Sequence, residues 1–128
     1  MPVNIGPLSA VRESSRVLLA ARRGGEPPVG SVQLDLAMRA NGRHRAKVTK
    51  LMVHRTARRQ GIRPALMVAV EAEARRLGRT TLHLDTREED RLYQTLGWQR
   101  AGAIPRWARS AAGTLHTTVF YCRVLDEA

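Results

Sequence analysis

The chain has 128 residues, enough for one domain with an ordinary hydrophobic core. Its single cysteine, Cys122, excludes an internal disulfide, and no run is long and apolar enough for a membrane-spanning helix. Lys and Arg total 22 against 11 acids, a formal net charge of +11, which favours a polyanionic partner: a phosphorylated cofactor or nucleic acid. Residues 1–8 lack a charged segment followed by an apolar one, so no secretory signal is read, and a reducing, cytoplasmic setting is expected.

Residues 16–22 contain Val17-Leu18-Leu19-Ala20-Ala21 and read as a short buried strand. Gly24-Gly25-Glu26-Pro27-Pro28 is a turn, and residues 29–38 then alternate, with Val32, Leu34, Leu36 and Met38 on one face; the pair predicts a hairpin. Asn41-Gly42 marks the next turn. Residues 45–53 form a third strand with a slipped phase. Ala46 and Val48 are apolar at even positions, Leu51 and Val53 at odd ones, as a β-bulge would produce; a strand buried on both faces is the alternative. Residues 62–77 predict the one long helix, with a stripe of Ile62, Ala65, Leu66, Ala69, Val70 and Leu77, an i,i+4 pair of Glu71 and Arg75, and Gly78 as its stop. A strand over 80–85 follows. Thr86-Arg87-Glu88-Glu89 reads as a capping box opening a short helix that ends at Gly97. Residues 98–104 and 115–124 read as two final strands. The order β-β-β-α-β-α-β-β predicts an α+β (mixed α/β) sheet in a single domain over 1–128, with residues 1–15 as an N-terminal extension.

Charge concentrates ahead of the long helix. Between Asp35 and Glu71 stand Arg39, Arg43, Arg45, Lys47, Lys50, Arg55, Arg58, Arg59 and Arg63, with no acid. Within this stretch, Arg58-Arg59-Gln60-Gly61-Ile62-Arg63 leads into the helix start, where unpaired amides and the helix dipole favour an anion. No Gly-Lys-Ser/Thr follows and only one glycine is present, so the loop is neither a Walker A nor a dinucleotide fingerprint. A solvated basic face at an ordinary helix start is the alternative reading.

Several ordered segments resemble the GNAT superfamily of acetyl-CoA-dependent N-acetyltransferases. They are Lys50-Leu51-Met52-Val53-His54, then Arg58-Arg59-Gln60-Gly61-Ile62, then Glu73-Ala74-Arg75-Arg76-Leu77-Gly78, Leu82-His83-Leu84-Asp85-Thr86 and Leu92-Tyr93-Gln94-Thr95-Leu96-Gly97-Trp98. The Asn41-Gly42 turn and Gly113-Thr114-Leu115-His116 are most similar to the tabtoxin-resistance-type acetyltransferases, in an N-terminally shortened form. The resemblance implies acetyl-CoA as co-substrate and no metal. It implies that loop amides over Arg58, Arg59, Gln60, Gly61, Ile62, Arg63 and Ala65 hold the CoA pyrophosphate, with pantetheine along Met52 and Val53. It further implies that the Met52 amide polarises the thioester carbonyl, that Tyr93 protonates the departing thiolate, and that an amine attacks directly.

Three positions depart from the family pattern. Arg63 stands where the loop has a small residue, Pro64 lacks an N–H, and Lys47 stands where the subgroup carries a glutamate. Asp85 is then the acidic catalytic candidate, with capping of the next helix as its alternative. The interval from Asp85 to Tyr93 is short for the family. Residues 1–15 leave no place for the family's N-terminal strand and two helices, so the fold is expected to lack them and to expose a sheet edge that favours a homodimer.

His44, His54, His83 and His116 form no metal-binding spacing. His54 is a candidate base or a polar loop residue, and Cys122 reads as buried filler. The leading expectation is acyl transfer from CoA to a small-molecule amine. The alternatives are a divergent GNAT scaffold with altered or lost acetyltransferase activity, and an RNA-associated protein or aminoacyl-tRNA-using transferase supported by charge alone.

Overall fold

A computed structural model describes residues 3–7 and 15–125 of the chain. Strands β2 (Arg16–Arg23) and β3 (Gly30–Leu36) form the expected antiparallel hairpin, with Val17 opposite Leu34 and Leu19 opposite Val32. An N-terminal strand, β1 (Val3–Pro7), pairs antiparallel with the free edge of β2, placing Ile5 opposite Ala21. This corrects the expectation that the fold lacks its first strand. Val3 and Ile5 are too few for a periodic signal, but the unpaired edge of β2 supplies hydrogen-bond partners and the core takes both side chains. Among the described residues no helix precedes β2; residues 8–14 lie outside them.

From Arg16 onward the element order is as read: β4 (Arg45–Val53), α1 (Ile62–Arg76), β5 (Thr81–Thr86), α2 (Arg91–Thr95), β6 (Gln99–Arg109) and β7 (Leu115–Val124). The strands make one sheet of α+β type in the order β1-β2-β3-β4-β5-β7-β6, with β4 and β5 its parallel pair. Strand β6 runs beyond the expected residue 104. Its register against β7 slips between Ile104 and Ala108, which hides the alternation of its second half.

Helix α1 covers one face of the sheet. Its buried side chains are Ile62, Leu66, Met67, Val70, Glu71 and Ala74, a stripe rotated from the one expected, so Ala65 faces solvent. Gly30 permits the close approach of helix to sheet, because a Cβ there would lie 3.1 Å from both Ile62 and Leu66. Glu71 does not pair with Arg75. It is buried, accepts the indole N–H of Trp98 at 2.9 Å, and has Arg123 Nε at 3.7 Å. The capping box is also corrected: Thr86 closes a turn onto the Glu88 carbonyl at 2.6 Å. Asp90 is the true cap of α2, accepting the Leu92 N–H at 2.9 Å.

Two features set the relation of β4 to β5. At one end, the buried Arg79 donates through Nη1 to the carbonyls of Ala37 at 2.6 Å and Arg43 at 2.5 Å, while the Thr80 and Thr81 amides both reach the His44 carbonyl. Further along, β4 carries the expected bulge. Thr49 faces Gln33 and Met52 faces Ser31, so Lys50 and Leu51 together oppose Val32, and Lys50 adopts φ 54°. The phase slip in the sequence is this extra residue.

Replacing Arg79 by Met removes a buried charged donor from the Ala37 and Arg43 carbonyls and is expected to cost about 1–3 kcal/mol in denaturant unfolding. Arg79→Lys, a point donor in place of a fork, should recover only part of the loss. Wild-type stability in Arg79→Met would disprove the clamp.

Candidate functional site

Strands β4 and β5 pair only where Arg45, Ala46 and Lys47 meet Thr81, Leu82 and His83. Past Lys47 and His83 the two strands no longer pair, and the bulge follows in β4. The wedge between them is a cavity of about 250 Å³ lined by Val48, Thr49, Lys50, Leu51, Leu84, Asp85 and Tyr93. The bulge also decides which backbone groups face this opening. The His54 N–H donates to the Val29 carbonyl at 2.7 Å, and Met52 faces Ser31 two residues back in the same register. Antiparallel alternation therefore commits the Met52 amide to β3 and turns the N–H groups of Leu51 and Val53 toward β5. Met52, the residue named from sequence, therefore presents its N–H to β3 and not to the opening. A phase slip of one residue is readable in sequence, but the residue at which the facing reverses is not.

The loop ahead of α1 forms the second part of the site. Ala57 is fully buried and anchors it, and His54 caps the short 3-10 turn Arg55–Ala57 by accepting the Thr56 N–H. This is the polar-loop alternative for His54. Arg59 at φ 63° and Gly61 at φ 76° both take left-handed backbone. Gly61 is favoured by that conformation, since a Cβ there would meet open space. The first helical bond runs from the Ala65 N–H to the Gly61 carbonyl at 3.2 Å. The Ile62 and Arg63 amides therefore have no helical acceptor, and Pro64 stands where an N–H would also lack one. A cavity of about 460 Å³ opens at this helix start, lined by Val53, Ala57, Arg58, Arg59, Gly61, Ile62, Arg63, Pro64 and Leu92. Gln60 and Ala65 are exposed beside it.

Arg63 does not fill that cavity. Its Nη2 donates to Asp90 Oδ2 at 2.7 Å, and its guanidinium lies 6.0 Å from the centre of the Tyr93 ring. One side chain thus ties the start of α1 to the cap of α2. Burial alone would raise the Asp90 carboxyl, but the Arg63 hydrogen bond and the Leu92 amide hold it below the usual range. Tyr93 is 6% exposed, stacked obliquely on Tyr121 at 5.3 Å and edge-on to Trp98 at 6.3 Å. Burial pushes its phenol above the ordinary value, with Arg63 pulling partly the other way. Tyr93 is therefore both a core ring and a protonated phenol on the wall of the splay.

Asp85 stands at the mouth of the splay and does not cap α2. Its Oδ2 is 3.0 Å from Lys47 Nζ, so the acidic candidate and the lysine that departs from the family pattern form an ion pair. His83 lies half-buried at the vertex, and burial, then Lys47 and Arg45, hold its imidazole below the ordinary value. Sequence reasoning gave His83 no role; only the register that sets it beside Lys47 singles it out.

Asp90→Asn keeps a cap of similar strength and removes the ion pair with Arg63. The folded-state value of Asp90 lies below its unfolded value, so its contribution is complete above about pH 4 and lost as pH falls through the folded value. Thermal midpoints of wild type and Asp90→Asn should therefore converge below about pH 4. A gap that persists to acid would show that the ion pair contributes nothing.

The model of the Acetyltransferase (GNAT) family matches residues 5–98. Among solved structures, a putative phosphinothricin N-acetyltransferase is 19% identical with a TM-score of 0.79, over 90% of this chain and 75% of that one. A GNAT-family acetyltransferase from Streptococcus pneumoniae is 19% identical with a TM-score of 0.77, over 88% and 69%. A putative acetyltransferase from Salmonella typhimurium, solved with acetyl-CoA, is 20% identical with a TM-score of 0.77, over 88% and 66%. At these identities the structures show the fold, and the family model covers most of the chain: the protein belongs to the GNAT acetyltransferase family.

Proposed function

We propose that this chain transfers an acetyl group from acetyl-CoA to a primary amine, as a GNAT N-acetyltransferase of the tabtoxin-resistance type. The GNAT fold supports acyl-CoA-dependent acyl transfer in general. The observation that carries the finer reading is that the two openings are lined by neighbouring residues of the same two elements. The basic cavity at the start of α1 includes Val53 of β4 and Leu92 of α2, and the splay includes Leu51 of β4 and Tyr93 of α2.

The donor set fits the co-substrate. Arg58, Arg59 and the Ile62 and Arg63 amides present positive charge and free N–H groups suited to a pyrophosphate. The Val53 backbone suits an amide-bearing arm, as an added strand would use it. When bound, acetyl-CoA supplies a thioester, an acyl group activated for attack by nitrogen. The Leu51 N–H faces the position where negative charge develops on the acyl oxygen, and one such donor is worth about 3 kcal/mol in a preorganised site. Asp85, already held by Lys47, orients the incoming amine through its second oxygen. The neutral amine nitrogen forms the C–N bond as the C–S bond breaks. Tyr93 gives its phenolic proton to the sulfur, and the surplus proton on nitrogen returns to the phenolate through water.

Calorimetry with acetyl-CoA tests the reading directly: saturable binding is expected, and no heat at millimolar ligand would remove it. Tyr93→Phe should lower kcat by about 10²-fold or more while the Kd for acetyl-CoA changes little. An unchanged kcat would exclude Tyr93 as the acid. Because burial raises the phenol, the rate should climb as the amine deprotonates, with no downturn below about pH 10.

A further inference from the structure

Arg63 stands between two openings. It lines the cavity at the start of α1, while its guanidinium is held beside the Tyr93 ring on the wall of the splay. We propose that Arg63 is a positioning residue for the acid step: it fixes the Tyr93 ring and stabilises the phenolate that Tyr93 becomes on giving up its proton. The inference rests on the acyl-transfer reading and adds a group to its proton donor.

Three observations carry it. First, the guanidinium is placed. With 42% of its side chain exposed, Arg63 has room to turn toward water or toward the helix-start cavity. The 2.7 Å bond from Nη2 to Asp90 Oδ2 holds it instead at the first turn of α2, 6.0 Å from the centre of the Tyr93 ring. Asp90 is itself fixed, because its Oδ1 accepts the Leu92 N–H at 2.9 Å and its own N–H donates to the Tyr121 hydroxyl at 3.1 Å. Second, the ring is held on its other sides. Tyr93 is buried against Tyr121 and Trp98, so the cation and the phenol keep one relation. Third, the charges around the phenol are unequal. Burial weighs most and pushes the phenol up; Arg63 pulls it down through its N–H donors and its charge, and Asp90 and Tyr121 oppose Arg63 more weakly. Lys50 and Asp85 share the wall of the splay with Tyr93, and Asp85 is paired with Lys47.

The chemistry follows from the charge balance. As the C–S bond breaks, the phenolic proton passes to sulfur and the oxygen is left negative. A phenolate in a buried site is costly unless a cation lies beside it. Arg63 supplies that cation without giving up a proton of its own, since a guanidinium stays charged at every working pH. The proton lost by nitrogen then returns through water and restores the phenol. A small residue at position 63, as in the family pattern, reaches neither Asp90 nor Tyr93, so the arrangement is a feature of this chain.

The test is a double-mutant cycle read at saturating acetyl-CoA, where any part Arg63 plays in holding the diphosphate drops out of the rate. Thiol release is followed with whichever of ethanolamine, L-methionine and spermidine wild type uses best. Arg63→Met should lower kcat about tenfold, the worth of one cation beside a partly buried ring, with the amine KM little changed. Added to Tyr93→Phe, it should lower kcat no further, because the group it acts through is already gone. Arg63→Lys, which keeps the charge but loses the fork, should recover part of the loss. Fluorine NMR of fluorotyrosine-labelled protein, without acetyl-CoA, reads the phenol directly. The Tyr93 signal, identified by its loss in Tyr93→Phe, should titrate at higher pH in Arg63→Met than in wild type. Wild-type kcat in Arg63→Met, a penalty that persists in full beside Tyr93→Phe, or an unmoved titration would each overturn the proposal. A lower thermal midpoint with additive rates would do the same, since it would show a tie that serves stability alone. If wild type binds no acetyl-CoA, the acyl-transfer reading fails on its own account. Where acetyl-CoA binds but none of the three amines turns over, the phenol titration alone decides: a shift supports the coupling of Arg63 to Tyr93, and an unmoved signal overturns it.

Discussion

One inserted residue in β4 governs what this sheet can do. Without it, β4 and β5 would pair along their length and the centre of the sheet would be closed. With Lys50 in left-handed backbone, the strand bends away from β5 and the facing of its later residues reverses. The reversal keeps Leu51 and Val53 directed at the core while their amides turn into the gap. Unpaired amides inside a sheet cost about 1–3 kcal/mol each if they are dry. Here they open into a cavity that admits water or a ligand, so the exposed hydrogen-bonding capacity becomes a binding surface rather than a defect.

A splay needs a closed end, or the strands would part altogether. Arg79 supplies it. A buried guanidinium takes the carbonyls of Ala37 and Arg43, and so fixes the segment leading into β4 against the turn leading into β5. Clamp and bulge act at opposite ends of the same pair of strands, and the wedge lies between them. The charge pair Arg63–Asp90 does the equivalent for the helices. It holds the start of α1 to the cap of α2, which carries Tyr93, so the ring on the wall of the splay is tied to the basic helix start.

Much of this was legible in the residues. The phase slip between Val48 and Leu51 marked the bulge, Gly61 and the acid-free run marked the basic helix start, and Gly78 marked the end of α1. What was not legible depended on contacts distant in sequence. Two apolar residues, Val3 and Ile5, form a strand only because the β2 edge is free. Glu71 reads as a surface partner of Arg75 until Trp98 and Arg123 are brought across to it. Thr86 and Asp90 are both plausible caps by residue type; Asp90 prevails where its backbone N–H reaches the Tyr121 hydroxyl at 3.1 Å and Arg63 meets its carboxylate. That the Leu51 N–H and not the Met52 N–H faces the gap has the same origin, since facing is a property of the pair of strands and not of one of them.

The basic run also resolves into separate parts. Arg58, Arg59 and Arg63 gather at the cavity before α1, Lys47 is paired at the mouth of the splay, and Arg39, Arg43 and Arg45 lie exposed at the far end of β4. A polyanion spanning this surface would have to cross the bulge and the open wedge to use all of it. A compact diphosphate needs only the first group and finds free helix amides at the same place. The net charge of +11 sets up a long-range field that favours anions of any kind. That field is screened beyond roughly 8 Å at physiological salt. Discrimination among anions therefore falls to short-range groups such as the amides of the α1 start, where geometry and not total charge decides what stays.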